Sequence, residues 1–281
     1  MPLPTRILGK TNLSPTIFGL GGEGILRTTG RLKEAQAVIR KALEVGVTYF
    51  DTAPAYQESR DYLGSVFKDL GHARKNIFIA SKTSDPTYEG SMALLEDTLK
   101  RLNTDYLDVW QLHDLRTSED LKNVFAQNGA IRALEEAKRT GKVRFVGITG
   151  HHDPDVLIAA IRRYDFDTLL VCVNAGDCHY LPFISTVLPE ARKKKMGVIG
   201  MKVTAAGQGL ASMKMKEAMY YSLSQDVDMC IIGCKTSQEV EMNAKLASDF
   251  KTLNPAELKA IELKSAWGRM EWNYFKKGMM Y

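Results

Sequence analysis

Apolar, β-branched or aromatic runs recur along the chain at Ile17 to Leu20, Val47 to Asp51, Ile77 to Ser81, Leu107 to Leu112, Val143 to Ile148, Leu169 to Val173, Val198 to Met201 and Met229 to Ile232. Their near-continuous hydrophobicity is that of strands covered on both faces, as in a parallel sheet; half-exposed antiparallel strands would alternate. Between the runs the period changes. Stretches such as "RLKEAQAVIRKALEVG", "EGSMALLEDTLKRL", "GAIRALEEAKRTGK" and "DPDVLIAAIRRYD" carry apolar residues three and four apart, which predicts amphipathic helices. Eight such alternations, with no low-complexity linker and no sequence-level repeat, predict an α/β chain: a closed (β/α)8 TIM barrel forming a single domain over residues 1–281. Barrels of this kind reach that length without a second domain.

After the last run, "SQEVEMNAKLASDF" reads as the eighth helix and "NPAELKAIELKSAWGRMEW" as one appended C-terminal helix. Gly19, Gly21 and Gly24 in "GLGGEG" satisfy GxGxxG after a strand, and Asp51 follows at about the distance of a dinucleotide-binding acidic residue. A doubly wound fold, however, needs a helix opening at the third glycine, and here "ILRTTGR" intervenes. The glycines are better read as sites of close backbone approach at the mouth of the first strand.

A chain that is 44% hydrophobic and 25% charged is ordinary for a globular protein, and its net charge of +5 is modest and dispersed. The dense run Arg192 to Lys195 precedes Gly197 at an expected helix C-terminus, where cations complement the helix dipole. With no aromatic residues interleaved it reads as a solvated helix end and not a nucleic-acid surface. No apolar stretch is long enough to span a membrane, and "MPLPTRILGK" lacks the apolar core of a signal peptide, so a cytoplasmic location is expected. Cys172, Cys178, Cys230 and Cys234 show neither CxxC nor paired metal spacing, so reduced thiols and no metal site are expected.

Candidate chemistry gathers where the expected strands end. Asp51 and Tyr56 in "YFDTAPAY", Lys82 in "IFIASKT" and His113 in "DVWQLHD" fall at or beyond strand C-termini, the end of a barrel where active sites are built. A nearby ammonium stabilises a phenolate, so Lys82 is expected to lower the pKa of Tyr56, and Asp51 to hold the ammonium. His113 would hydrogen-bond the oxygen of a bound carbonyl. Such a set donates a proton but has no electron source, so hydride would have to come from a nicotinamide. Each residue alone also has a structural explanation; it is the joint occurrence that carries the functional reading.

In these four segments, and from about Thr5 to Phe250, the chain resembles the aldo-keto reductase superfamily. The resemblance implies catalytic roles for Asp51, Tyr56, Lys82 and His113, a small-molecule carbonyl substrate, and NADPH favoured over a possible NADH. It also implies an N-terminal β-hairpin at "TRILGKTNLSPT" plugging the barrel floor. Cofactor contacts carried over by position are Gly22, Asp51, Gly150, His151, Asn174, Met201, Lys202, Gly233, Lys235, Glu239 and Asn243. Gly150 and His151 stand where the family usually has Ser-Asn, and Met201 where it commonly has an aromatic ring against the nicotinamide. Glu23 replaces a frequent Trp at the substrate side, which favours a polar, sugar-like substrate. Further implications are a monomer or weak homo-oligomer, with a cofactor-retaining sugar epimerase or lyase and a redox-sensing regulatory subunit as alternatives.

Overall fold

In the computed structural model, which describes residues 2–279, eight parallel strands close in chain order. They are β1 Phe18–Gly24, β2 Tyr49–Asp51, β3 Phe78–Thr83, β4 Leu107–Leu112, β5 Val143–Gly150, β6 Thr168–Cys172, β7 Gly197–Met201 and β8 Met229–Cys234. Helices α1 Leu32–Glu44, α2 Ser59–Phe67, α3 Tyr88–Leu102, α4 Ser118–Val124, α5 Ala130–Arg139, α6 Pro154–Arg163, α7 Val187–Lys193, α8 Met215–Leu223 and α9 Ser237–Ser248 return the chain along the outside. Strand side chains that point inward, among them Tyr49, Ala80, Val109, Leu170, Ile199 and Met229, form one core; those that point outward pack under the helices in a second. Both faces of the strands are thus largely buried, which is why the apolar runs are nearly continuous.

The glycines of "GLGGEG" belong to β1, which ends in a register shift before Gly24. Gly24 has φ 72°, and a Cβ there would lie 2.5 Å from the Cys234 carbonyl oxygen. Helix α1 opens only at Leu32, so the geometry is that of a closing barrel seam and not of a dinucleotide fingerprint.

One device repeats around the floor. Asp108, Asp167 and Asp228 stand at the starts of β4, β6 and β8, and each carboxylate accepts the backbone N–H of the preceding odd strand: Ile79 at 2.9 Å, Val146 at 2.9 Å and Val198 at 2.8 Å. Each also meets a cation: Arg74 and Arg144 at Asp108, Lys138 at Asp167, Arg192 at Asp228. Arg192 is therefore not the solvated helix end expected of its basic run, because Asp226 and Asp228 both hold its guanidinium. Asp228→Ala should cost about 1–3 kcal/mol, since the Val198 N–H loses its acceptor inside the floor; a urea denaturation midpoint equal to that of the native protein would refute this.

Of the two terminal expectations, one holds and one changes. The N-terminal hairpin forms as expected: Thr5 and Thr16 make an antiparallel bridge, and the Ile17, Arg6 and Leu8 N–H groups bond to the Pro4, Pro15 and Leu13 carbonyls around a 3-10 turn at Gly9–Thr11. It plugs the barrel floor, as Leu8 and Leu13 insert into the inner core. The appended helix is broken into α10 Pro255–Ser265, a 3-10 turn Ala266–Gly268 and α11 Arg269–Asn273. Ser265 ends the first piece by donating to the Ala175 and Glu262 carbonyls, and Gly268 is a poor helix former. Helix α4, opened by the Thr117–Asp120 capping box, is an element the apolar pattern did not predict. Among the described residues no helix is long and apolar enough to cross a membrane, no group of acidic, His and Cys side chains could hold a metal ion, and all four cysteines are free.

Candidate active site

A cavity of about 920 Å³ opens at the C-terminal end of the strands, lined by residues from most of the strand-to-helix loops. Asp51 closes β2 and Lys82 lies near the end of β3, both buried. The Lys82 ammonium donates to Asp51 Oδ1 at 2.8 Å, Asp51 Oδ2 at 2.7 Å and the Thr52 carbonyl at 2.9 Å. Those contacts use all of its protons, leaving it to act on Tyr56 through charge alone. Its Nζ sits 4.8 Å from the centroid of the Tyr56 ring.

Tyr56 is delivered by the turn between β2 and α2, where its N–H bonds to the Ala53 carbonyl. Three neighbours fix the ring. Gly22 lies against it so closely that a Cβ would stand 2.5 Å from Cδ2; the Arg27 guanidinium lies 5.3 Å from its centroid; His113 meets it edge-on at 5.7 Å. Among the described residues no protein group hydrogen-bonds its hydroxyl. Its position at the cavity wall leaves that hydroxyl for a ligand.

The electrostatics depart from expectation in one respect. Burial, then the charges of Asp51 and Glu23, hold the Tyr56 phenol well above its ordinary pKa, with only Arg27 opposing them. Lys82 does not pull it down because Asp51 matches its charge at hydrogen-bond distance. Burial likewise pushes the Asp51 carboxyl up and the Lys82 ammonium down, each against the attraction of the other. Burial and then Lys82 push His113 down to about 3, and burial lowers His151 to about 4 despite Asp114. At neutral pH the site therefore presents a protonated phenol and neutral imidazoles.

The remaining residues singled out from the sequence divide into two groups. Gly22, Glu23, His151, Met201, Lys202, Gly233, Lys235, Glu239 and Asn243 line the same cavity as Asp51, Tyr56 and His113. Gly150 and Asn174 do not. Gly150 faces Leu157 and the Leu115 carbonyl, and Asn174, wholly buried, accepts the Gly176 N–H at 3.0 Å and approaches the Trp272 carbonyl. Glu239 is occupied at the start of α9, where its carboxylate accepts the Lys235 N–H at 2.6 Å. Glu23 is held by Arg27 at 3.0 Å and Lys202 at 3.7 Å.

These residues suit a dinucleotide. The cavity runs from Tyr56 and His113 to the first turns of α9, and among the buried atoms on its wall that lack partners are Asn243 Oδ1 and His151 Nδ1. Both can accept from the amide and amino groups that a nicotinamide dinucleotide carries. Met201, at the end of β7, offers a polarizable thioether to a ring.

The pattern of apolar positions gave no sign of the tail's part in the site. Tyr274 and Phe275 line the cavity, and Phe275 meets His151 edge-on at 5.3 Å. Trp272 seats them by packing onto Gly176 and Gly209, where Cβ atoms would lie 2.2 Å from the Trp272 Cβ and 2.3 Å from its indole. Lys276, wholly buried, donates to Asp177 at 2.7 Å and the Tyr180 carbonyl at 2.7 Å. Arg27, Asp114 and Arg116 also line the cavity and were not singled out beforehand; the one available signal was the position of Asp114 beside His113.

Comparison with known proteins agrees with this geometry. The chain is 28% identical over 290 residues to an L-galactose dehydrogenase of Arabidopsis thaliana, covering 88% of this chain and 89% of that protein. It is 33% identical over 129 residues to a glyoxal reductase of Bacillus subtilis, a match covering 44% of each. In fold it is similar to the holo form of the aldo-keto reductase AKR11C1 from Bacillus halodurans, with a TM-score of 0.78 at 21% identity over 93% of this chain and 96% of that one. The aldo/keto reductase family profile matches residues 17–220, most of the barrel, and the chain therefore belongs to that family as an NAD(P)-dependent oxidoreductase.

Proposed function

We propose that the protein reduces a polar aldehyde or ketone to an alcohol, with NADPH favoured and NADH usable, and that Tyr56 is the proton donor. The observation that carries this reading is the phenol of Tyr56, kept protonated at the cavity wall directly above the buried Asp51–Lys82 pair. A bound reduced nicotinamide supplies hydride to the carbonyl carbon. Tyr56 gives its proton to the carbonyl oxygen as negative charge develops there, and neutral His113 donates a hydrogen bond to the same oxygen. Arg27, beside the ring, offsets part of the negative charge left on the phenolate, and Asp51 keeps the Lys82 ammonium in place beneath it. His151, Met201 and Asn243 would hold the cofactor. Names among the relatives, an L-galactose dehydrogenase, a glyoxal reductase and a methylglyoxal reductase, favour small oxygenated substrates. Loss of reduced-cofactor absorbance with a panel of aldehydes, ketones and aldoses tests the reading. Conversion of a sugar with no net cofactor consumption would replace it with an epimerase or lyase.

Cofactor choice rests on Lys235 and Glu239. Exposed Lys235 follows β8 at the start of α9 and can meet a 2′-phosphate, whereas the Glu239 carboxylate at the same helix start opposes one. An exposed contact of this kind contributes about 1 kcal/mol, less than tenfold in affinity. Dissociation constants should therefore show a weak preference for NADPH, narrowed by Lys235→Ala and widened by Glu239→Gln. Tighter binding of NADH by the native protein would reverse the assignment.

A further inference from the structure

Most carboxylates on the cavity wall are already committed. Asp51 is bound by Lys82, Glu23 by Arg27 and Lys202, and Glu239 by the Lys235 N–H. Asp114 differs. Its Oδ2 is fixed by Arg116 at 2.7 Å, but its Oδ1, buried at the wall, has no hydrogen-bond partner. His151 Nε2 lies 3.4 Å from it without forming a hydrogen bond.

The carboxylate is also held firmly in this place. Asp114 has φ 55°, in the left-handed region that Asp tolerates better than most side chains. Its N-terminal neighbour His113 is tied to β3 through its N–H to the Thr83 carbonyl at 2.8 Å. On the other side, the Arg116 and Thr117 N–H groups bond to Asp120 at the start of α4. Against burial, the His151 imidazole and Arg116 keep the Asp114 carboxyl below its ordinary range, so it is ionised. An ionised carboxylate oxygen can only accept, so whatever meets it must bring an O–H or N–H. Alkyl or carbonyl groups would leave it buried and unpaired.

We propose that Asp114 Oδ1 is a specificity-determining acceptor for a hydroxyl on the carbon next to the reacting carbonyl, so that the preferred substrates are α-hydroxyaldehydes of the aldose type. This rests on the reductase reading for which carbon reacts: Asp114 directly follows His113, the residue assigned to the carbonyl oxygen. Glu23, the acidic residue first associated with a polar substrate, is the poorer candidate because two cations share its carboxylate.

The test compares glyceraldehyde with propanal, aldehydes of equal chain length that differ only in hydroxyls, using the purified full chain and NADPH. The native protein should show a kcat/KM ratio of at least about tenfold in favour of glyceraldehyde, equivalent to about 1.4 kcal/mol. Asp114→Gly, which suits the positive φ, should lower that ratio by about tenfold, and Asp114→Asn should give an intermediate value. A native ratio near unity, or one unchanged by Asp114→Gly, overturns the proposal. Calorimetric titration of the NADP complex with xylitol, an alditol that resembles the product, separates the two readings. Xylitol binding that depends on Asp114, in a protein that reduces neither aldehyde, keeps the subsite and rejects the reductase. Reduction of both aldehydes without preference, and with no xylitol binding, does the reverse.

Discussion

Tyr56→Phe removes nearly all turnover, by about 10²–10⁴-fold in kcat, while cofactor affinity and the denaturation midpoint stay close to native. The substitution deletes one hydroxyl that no described protein group hydrogen-bonds, so nothing in the fold loses a partner. The ring remains wedged among Gly22, Arg27 and His113. What disappears is the proton at the carbonyl oxygen. Lys82 cannot replace it, because Asp51 and Thr52 take all of its donors. An unchanged kcat would sink the assignment of Tyr56. A lost midpoint would show instead that the phenol is structural.

Lys276→Met destabilises the protein by about 3–5 kcal/mol, the cost of stranding one member of a buried ion pair. Lys276 and Asp177 are both fully inaccessible, and removal of the ammonium leaves Asp177 with only the Phe183 and Ile184 N–H groups. Adding Asp177→Asn should recover part of the loss, because the amide oxygen can still accept one of those N–H groups without a charge to bury. Urea denaturation of the single and double variants measures both effects, and a loss below about 1 kcal/mol in the single variant would contradict them. The single variant should also raise KM, since Phe275 and Tyr274 immediately precede Lys276 on the cavity wall.

These two predictions draw on opposite sources. That Asp51, Tyr56, Lys82 and His113 converge could be read from the chain alone because a parallel barrel imposes order: each strand ends at the same rim, so residues far apart in sequence but alike in strand position must meet, whereas their reading as a catalytic set came from the family resemblance. Apolar runs of strand length mark where those ends fall. Gly150, the last residue of β5, does not reach the cavity because alternation along the strand turns its neighbours Thr149 and His151 toward it instead, and Asn174, beyond the end of β6, is taken by the Gly176 N–H. Positions just past a strand obey no such period.

Sequence alone determined the barrel, its eight strands and the convergence of Asp51, Tyr56, Lys82 and His113, since those follow from local periodicity and the short list of ways to bury parallel strands. Only the tertiary structure decided which way the Tyr56 pKa moves, because that depends on how closely Asp51 approaches Lys82 and on how deeply both are buried. It likewise decided that Trp272 and Lys276 dock the tail over the rim. That contact joins α11 and the residues just beyond it to loops after β6 and β7, and glycines at 176 and 209, a buried aspartate and a lysine carry no periodic signal until the chain has brought them together.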